Sequence, residues 1–229
     1  MKKLYRCWWC LPALLMFCNL AGLLAICLYA ERAGSGQDRS REDRYDDLIF
    51  EAGRKYMVPG WDWLILKALI KQESGFDPRA SNGSAQGLMQ FMPGTAKRMG
   101  LPPRKRDEPD YAIPAGARYI RRLWDLWQEA DAGPPQWNRT RLALASYNAG
   151  PGRVRQAQKG SGGGILYSNI ASDLPEHTQN HVARVMEYFK EYRRSGRYRK
   201  PSGSFRSTRG SIRFWINPMK TYPRAEPRR

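Results

Sequence analysis

The chain has 229 residues and a formal net charge of +18, with 41% hydrophobic and 26% charged residues. This composition excludes a collagen-like, disulfide-rich or wholly disordered chain, and the length suits one domain with appendages. The charge is uneven, because residues 193–229 carry 12 basic side chains and one acidic side chain. All four cysteines precede residue 28, so neither a disulfide nor a catalytic cysteine is expected in the rest of the chain.

The amino-terminal segment has the character of a membrane anchor. Residues 8–30 form an uncharged, mostly apolar run that follows three basic residues. A helix of about 20 apolar residues spans the hydrocarbon core of a bilayer, whereas the apolar part of a cleaved signal peptide usually has about 7–15 residues. We therefore favour an uncleaved transmembrane helix in residues 1–30, with the amino end in the cytoplasm. The polar residues 31–45 predict a linker.

From residue 46 onward the apolar residues recur at helical spacing, and few stretches alternate. The predicted fold class is all-α, with about six or seven helices in a domain at residues 46–192. Helices are predicted near residues 48–52, 61–72, 93–99, 110–130, 142–149 and 176–192, and small-residue loops at 79–87 and 161–164. The basic tail, residues 193–229, has little helical period and is predicted to be mostly disordered.

Glu73 is the sharpest single feature of the predicted domain. It continues the helix face that Leu66, Leu69 and Ile70 form at the spacing i, i+3, i+4, i+7. A carboxylate on an apolar face is costly unless it is neutral or has a partner. A carboxylic acid that stays protonated near neutral pH can serve as a general acid. From this helix alone, a solvent-exposed glutamate at a helix end remains the simpler interpretation.

Three motifs change that interpretation. The sequence reads E-S-G-F-D-P at residues 73–78, G-L-M-Q-F-M-P-G-T-A at residues 87–96 and Y-N-A-G-P-G-R-V at residues 147–154. In this order and spacing they resemble the signature of the soluble lytic transglycosylase family, whose catalytic domain is similar to goose-type lysozyme. A fourth, looser motif of that family is matched by Pro175, Thr178, Gln179 and Val182. The resemblance covers about residues 44–192.

The resemblance implies a lysozyme-like fold and an activity on peptidoglycan. Such domains cleave the β-1,4 bond between N-acetylmuramic acid and N-acetylglucosamine without water, which gives a 1,6-anhydromuramoyl end. Glu73 matches the single acid/base of the family, and Ser81 matches a substrate-facing serine on a loop that is one residue shorter here. The positions that match groove residues of the family are Gly87, Leu88, Met89, Gln90, Tyr147 and Asn148.

A single carboxylate also suits this chemistry on its own terms. Most glycosidases use two carboxylates, and the nearest second candidate is Asp77. Asp77 precedes Pro78, where a bond to the local backbone is expected instead. In a substrate-assisted route Glu73 protonates the leaving oxygen while the N-acetyl group of the substrate stabilises the cationic centre. The carboxylate then takes the proton of the muramoyl C6 hydroxyl as that oxygen attacks C1.

The two histidines of the chain depart from the fourth motif. His177 stands where the family usually has Glu, and His181 where it usually has Tyr. An i, i+4 histidine pair can bind zinc, but no third ligand is evident, so no metal and no other cofactor is expected. We predict that His181 lines the groove. Two alternatives stay open: a hydrolytic muramidase on the same fold, and a catalytically weak wall-binding or scaffold protein.

The partners follow from the same features. We predict binding to peptidoglycan glycan strands, to the membrane through residues 8–30, and to an anionic envelope surface through the tail. Basic residues beside Phe214 and Trp215 also suit single-stranded nucleic acid, but an exported protein would not meet it, so no nucleic-acid partner is predicted. The predicted location is the bacterial inner membrane, single-pass, with the domain in the periplasm, or outside the membrane if the segment is cleaved.

Overall fold

The computed structural model describes residues 41–57, 61–130, 137–196 and 198. The predicted transmembrane helix at residues 8–30 and the tail beyond residue 198 lie outside this part of the chain. Within the described ranges, no helix combines the length and the apolar character needed to cross a membrane. The described residues therefore cover most of the predicted catalytic domain, the last residues of the predicted linker and the first residues of the predicted tail.

The described part of the chain is helical, and it contains only isolated β-bridges, which link Ser81 to Gln86 and Gln86 to Phe91. Its α-helices are α1 (Asp46–Tyr56), α2 (Leu64–Ser74), α3 (Pro93–Arg98), α4 (Pro109–Asp125), α5 (Trp137–Ala149), α6 (Pro151–Gly160), α7 (Tyr167–Ile170) and α8 (Glu176–Ser195). Short 3₁₀ turns occupy Pro103–Lys105, Gln128–Ala130 and Ala171–Asp173. The all-α prediction is confirmed for these residues.

The helix at residues 110–130 is shorter than predicted. α4 ends at Asp125, and a separate 3₁₀ turn holds Gln128–Ala130. The tighter turn still buries Trp127, whose Nε1 donates a hydrogen bond to Ser146 Oγ at 3.1 Å. Trp124 is buried as well, at 4% exposure, so both tryptophans belong to the core.

α6 was not predicted from the sequence, and it directly follows α5. Gly150 adopts φ 82°, a left-handed conformation that glycine reaches without steric cost, and the chain turns sharply there. Pro151 then occupies the first helical position, where its missing N–H costs nothing. The G-P-G run thus ends one helix and starts another, and α6 buries Val154 and Ala157.

The centre of the core lies between α2 and α8, which pack against each other over their length. On α2 the predicted apolar face of Leu66, Leu69 and Ile70 is fully buried. On α8 the buried face includes Val185 and Phe189. Each such side chain contributes about 1.5–3 kcal/mol when it is removed from water. The buried contact between these two helices therefore fixes the positions of side chains at their ends.

A buried ion cluster joins the residues before α1 to α2. Lys67 is 0% exposed, and its Nζ donates to Asp46 at 2.9 Å and to Asp43 at 3.0 Å. One turn further along α2, Lys71 forms an ion pair with Glu42. Glu42 and Asp43 lie in the predicted linker, residues 31–45, so the contacts of the folded domain begin inside that stretch.

Candidate active site

Glu73 lies in the last turn of α2, and two left-handed residues follow that helix. Gly75 has φ 56°, and Phe76 has φ 64°. The left-handed conformation costs a non-glycine residue about 1–2 kcal/mol, and burial of the phenylalanine ring at 1% exposure offsets that cost. The reversal stops α2 directly after Glu73 and leaves the Glu73 side chain 14% exposed. Glu73 is therefore half-buried at a helix end, with limited access to solvent.

His181 is in direct contact with Glu73. Its Nε2 lies 2.7 Å from Glu73 Oε1, and the imidazole side chain is 6% exposed. The other ring nitrogen, Nδ1, is buried and has no hydrogen-bond partner among the described residues. The predicted groove residue on α8 is thus the hydrogen-bond partner of the predicted acid/base on α2, which the sequence did not indicate.

The loop at residues 79–91 is tied to α2 and to itself by side chains. Ser74, next to Glu73, donates its hydroxyl to Leu88 O at 3.0 Å. The Gln90 amide donates from Nε2 to Ala80 O at 3.0 Å and to Gly87 O at 2.9 Å. Part of the polar capacity of Gln90, a predicted substrate-binding residue, is therefore used to hold the loop.

Arg106 fastens the same loop from the other side. Its Nη1 donates to Ser84 O at 2.8 Å and to Phe91 O at 2.9 Å. Its own carbonyl lies so close to Gly87 that a Cβ on that glycine would stand 1.9 Å from the oxygen. Gly87 also has φ 81°, so the position excludes side chains both by conformation and by space.

The Met89 side chain points into the core. Met89 is 0% exposed and lies against Gly116 of α4, where an added Cβ would come within 2.3 Å of the Met89 methyl carbon. Its backbone carbonyl is the part that faces the site residues, since it accepts a hydrogen bond from Tyr147 Oη at 2.7 Å. The contribution of Met89 to a groove would therefore come from its backbone.

Tyr147 and Asn148 follow each other at the end of α5 and have different contacts. Burial, followed by the nearby charge of Glu73 and by Tyr119, raises the pKa of Tyr147 well above its usual value, so its hydroxyl stays protonated and donates to Met89 O. Asn148 is exposed, and its Oδ1 accepts a hydrogen bond from Thr178 Oγ1 on α8 at 2.7 Å. Its amide nitrogen is the polar atom that Thr178 leaves for a ligand.

Ser81 and Asp77 serve local turns. Ser81 is exposed, and its Oγ accepts the backbone N–H of Gly83 at 3.2 Å. Asp77 accepts the backbone N–H of Arg79 at 2.9 Å, the local role that its position before Pro78 predicts. His177 is exposed, unlike the buried His181. The described residues contain no cluster of three His, Cys, Asp or Glu side chains that could hold a metal ion.

Sequence reasoning missed three residues that shape this site. Ser74 is part of the first motif, and Thr178 of the fourth, so the motifs did contain a signal for both. Arg106 lies outside every motif, and its hydrogen bonds to residues 15 and 22 positions earlier could not be inferred from the sequence.

A separate cavity of about 420 Å³ lies between α5 and α8, lined by Trp137, Arg141, Met186, Phe189, Lys190, Arg193 and Arg194.

Comparison with known proteins finds a family model and curated relatives that this chain resembles. The family model described as the Transglycosylase SLT domain matches residues 47–165. The membrane-bound lytic murein transglycosylase F of Alcanivorax borkumensis is 35% identical over 153 residues, which is 65% of this chain and 31% of that protein. The chain therefore matches about a third of the length of this curated relative.

Two solved structures have the same fold. The 70 kDa soluble lytic transglycosylase SLT70 of Escherichia coli superposes with a TM-score of 0.54 at 29% identity, over 66% of this chain and 24% of that one. The lytic transglycosylase Slt of Pseudomonas aeruginosa, in an inactive glutamate-to-glutamine mutant, has a TM-score of 0.50 at 28% identity, again over 66% of this chain and 24% of that one. The expected lysozyme-like helical fold agrees with these matches.

Proposed function

Since the chain belongs to the Transglycosylase SLT domain family, we propose that it is a peptidoglycan lytic transglycosylase with Glu73 as its single acid/base. The observation that carries the proposal is the half-buried carboxylate at the end of α2, in contact with His181 and close to the motif residues of the 79–91 loop and of α5. Asp77, the nearest candidate in the sequence for a second carboxylate, accepts a hydrogen bond within its own turn.

The proposed reaction uses Glu73 twice. As an acid it protonates the glycosidic oxygen between N-acetylmuramic acid and N-acetylglucosamine, and the N-acetyl group of the substrate stabilises the developing positive charge at C1. As a carboxylate it then accepts the proton of the muramoyl C6 hydroxyl while that oxygen closes the 1,6-anhydro ring. Limited exposure favours this route over hydrolysis, since water competes with the C6 hydroxyl for C1.

Substrate contacts are proposed for the polar groups that the fold leaves available. Asn148 presents its amide nitrogen beside α8, and Ser81 lies exposed at the start of the loop. Gln90 retains its side-chain oxygen, and Gly87 contributes through the position of the loop, since the Arg106 carbonyl fills the space where its side chain would lie. We propose that Met89 and Tyr147 act together, because their hydrogen bond fixes the loop against α5.

The experiment is to compare Glu73→Gln with the wild-type protein on purified peptidoglycan. The amide keeps the shape and removes the proton, and general acid–base catalysis contributes about 10²–10⁴-fold. We expect a loss at the upper end of this range, because one residue serves both steps. Asp77→Asn is the matched control: it also converts a carboxylate to an amide, and its Oδ1 can still accept the Arg79 N–H.

Mass spectrometry of the released muropeptides identifies the reaction. Products with 1,6-anhydromuramoyl ends support the proposed route, and reducing ends would identify a hydrolytic muramidase on the same fold. Glu73→Gln activity within a few-fold of the wild type would refute the assignment of Glu73. A wild-type protein that binds the wall without releasing muropeptides would instead be the weak, scaffold-type alternative.

We also propose an envelope location for the protein. The apolar run at residues 8–30 has no charge over a length that spans a bilayer, which suits a domain held at the inner membrane and facing the wall. The tail, residues 193–229, would add attraction to anionic envelope surfaces. Membrane fractionation with carbonate washing tests the anchor: a protein released by the wash would contradict it.

A further inference from the structure

The contact between Glu73 and His181 constrains how the imidazole carries its proton. Nε2 lies 2.7 Å from Glu73 Oε1, within hydrogen-bond distance, whereas Nδ1 is buried with no partner among the described residues. A neutral imidazole has one N–H donor and one acceptor nitrogen. With the hydrogen on Nε2, the donor is satisfied and only an acceptor lacks a partner. With the hydrogen on Nδ1, a buried donor would be left without a partner, which native structures rarely tolerate.

We propose that His181 is a positioning residue for Glu73: its imidazole donates the Nε2 hydrogen to Oε1 and thereby reserves Oε2 for the reacting proton. The inference rests on the proposed catalytic role of Glu73. A carboxylate whose two oxygens are equivalent can rotate and present either one. The hydrogen bond removes that freedom, so the oxygen that protonates the leaving group and later accepts the C6 proton is always the one that His181 does not contact.

The packing around His181 supports this role. His181 is 6% exposed on α8, the helix that packs most extensively against α2, so the ring cannot turn away from the carboxylate without disturbing the core. Three residues before it, Thr178 is fully buried and donates to Asn148, which fixes the start of α8 against α5. The imidazole is thus held by two helix contacts, as a residue that orients another side chain must be.

The tautomer can be measured without substrate. The chain has only two histidines, and the exposed His177 is an internal reference on the same helix. In the ¹⁵N-histidine-labelled protein at alkaline pH, we expect His181 to show a hydrogen fixed on Nε2, while His177 shows the averaged signals of two exchanging tautomers. In Glu73→Ala the His181 ring signals should change and those of His177 should not. A hydrogen on Nδ1 of His181, or averaging like that of His177, would overturn the proposal.

Kinetics test the positioning role. His181→Leu removes the donor and keeps a buried side chain of similar size, whereas His181→Gln keeps an N–H that can reach the carboxylate. Since a hydrogen bond to a charged group is among the stronger ones, we expect kcat of His181→Leu to fall about 10- to 100-fold. KM should change little, and His181→Gln should recover most of the loss. The control His177→Gln should match the wild type.

Each result has a defined meaning. Wild-type kcat in His181→Leu, or a His181→Gln variant as impaired as His181→Leu, would refute the donor role. Thermal unfolding shows whether His181→Leu is folded; if it is not, the tautomer measurement decides. Failure of the proposed function gives a different pattern. Muropeptides without anhydro ends would refute the reaction type, whereas the His181 ring signals would still show a hydrogen on Nε2.

Discussion

Replacement of Lys67 by methionine should destabilise the domain strongly. Lys67 and Asp46 are both 0% exposed, and Lys67 Nζ lies 2.9 Å from Asp46 Oδ2, so the substitution removes a buried ammonium group from beside a buried carboxylate. Breaking a buried ion pair by removing one partner costs about 3–5 kcal/mol. Asp43 adds little to this figure, because its side chain is 35% exposed and water can solvate it.

The loss is large compared with the total stability of a domain, which is about 5–15 kcal/mol. Urea unfolding followed by circular dichroism measures the difference, and the melting temperature should fall by roughly 6–20 °C. Lys97→Met is the matched control, since Lys97 is exposed on α3. In the double variant Lys67→Met, Asp46→Leu both charges are gone, so most of the stability should return. A loss below about 1 kcal/mol in Lys67→Met would show that Asp46 is solvated in solution.

Three further predictions concern the loop, the buried tyrosines and the tail. Gly87→Ala should lower the melting temperature more than Gly83→Ala, because both glycines have a positive φ but only Gly87 lacks room for a Cβ; equal losses would contradict the close approach of Arg106. Burial raises the pKa of Tyr147 and Tyr192, so the fold retains protons that the unfolded chain loses. Urea titrations should therefore show stability falling as the pH rises above about 10, by roughly 1.4 kcal/mol per pH unit for each such tyrosine, and a flat profile in that range would refute this. Removal of residues 199–229, which carry nine basic side chains and one acidic one, should weaken binding to insoluble wall at low salt and leave cleavage of short soluble glycans unchanged; binding that persists in about 1 M salt is not electrostatic.

Several helices could be predicted from the sequence because they bury one regular apolar face. Leu66, Leu69 and Ile70 mark α2 by spacing alone, and all three are fully buried. The helix boundaries were harder to predict, since they depend on the local conformation of residues such as Gly150, whose positive φ allows a new helix to start at once. A G-P-G run is equally typical of a helix end that is followed by a loop, and only the packing of Val154 shows that a second helix follows.

For the site, the sequence identified the candidate residues but not what each of them contacts. Glu73 was singled out by its place on an apolar face and by the motifs. Its contact with His181 joins residues 108 positions apart and depends on how α2 and α8 pack. The burial of Met89 was equally hidden, because a motif shows that a residue is required without showing whether its side chain faces the ligand or the core.

The position of the 79–91 loop depends on two glycines, Gly87 and Gly116, which have no Cβ. A Cβ at residue 87 would collide with the Arg106 carbonyl, and a Cβ at residue 116 would collide with the Met89 side chain. The loop can adopt this position only because residues 87 and 116 are glycines, whose side chains are hydrogen atoms. A single carbon added at residue 87 or 116 could therefore move Gln90 relative to Glu73 without altering any polar side chain of the site.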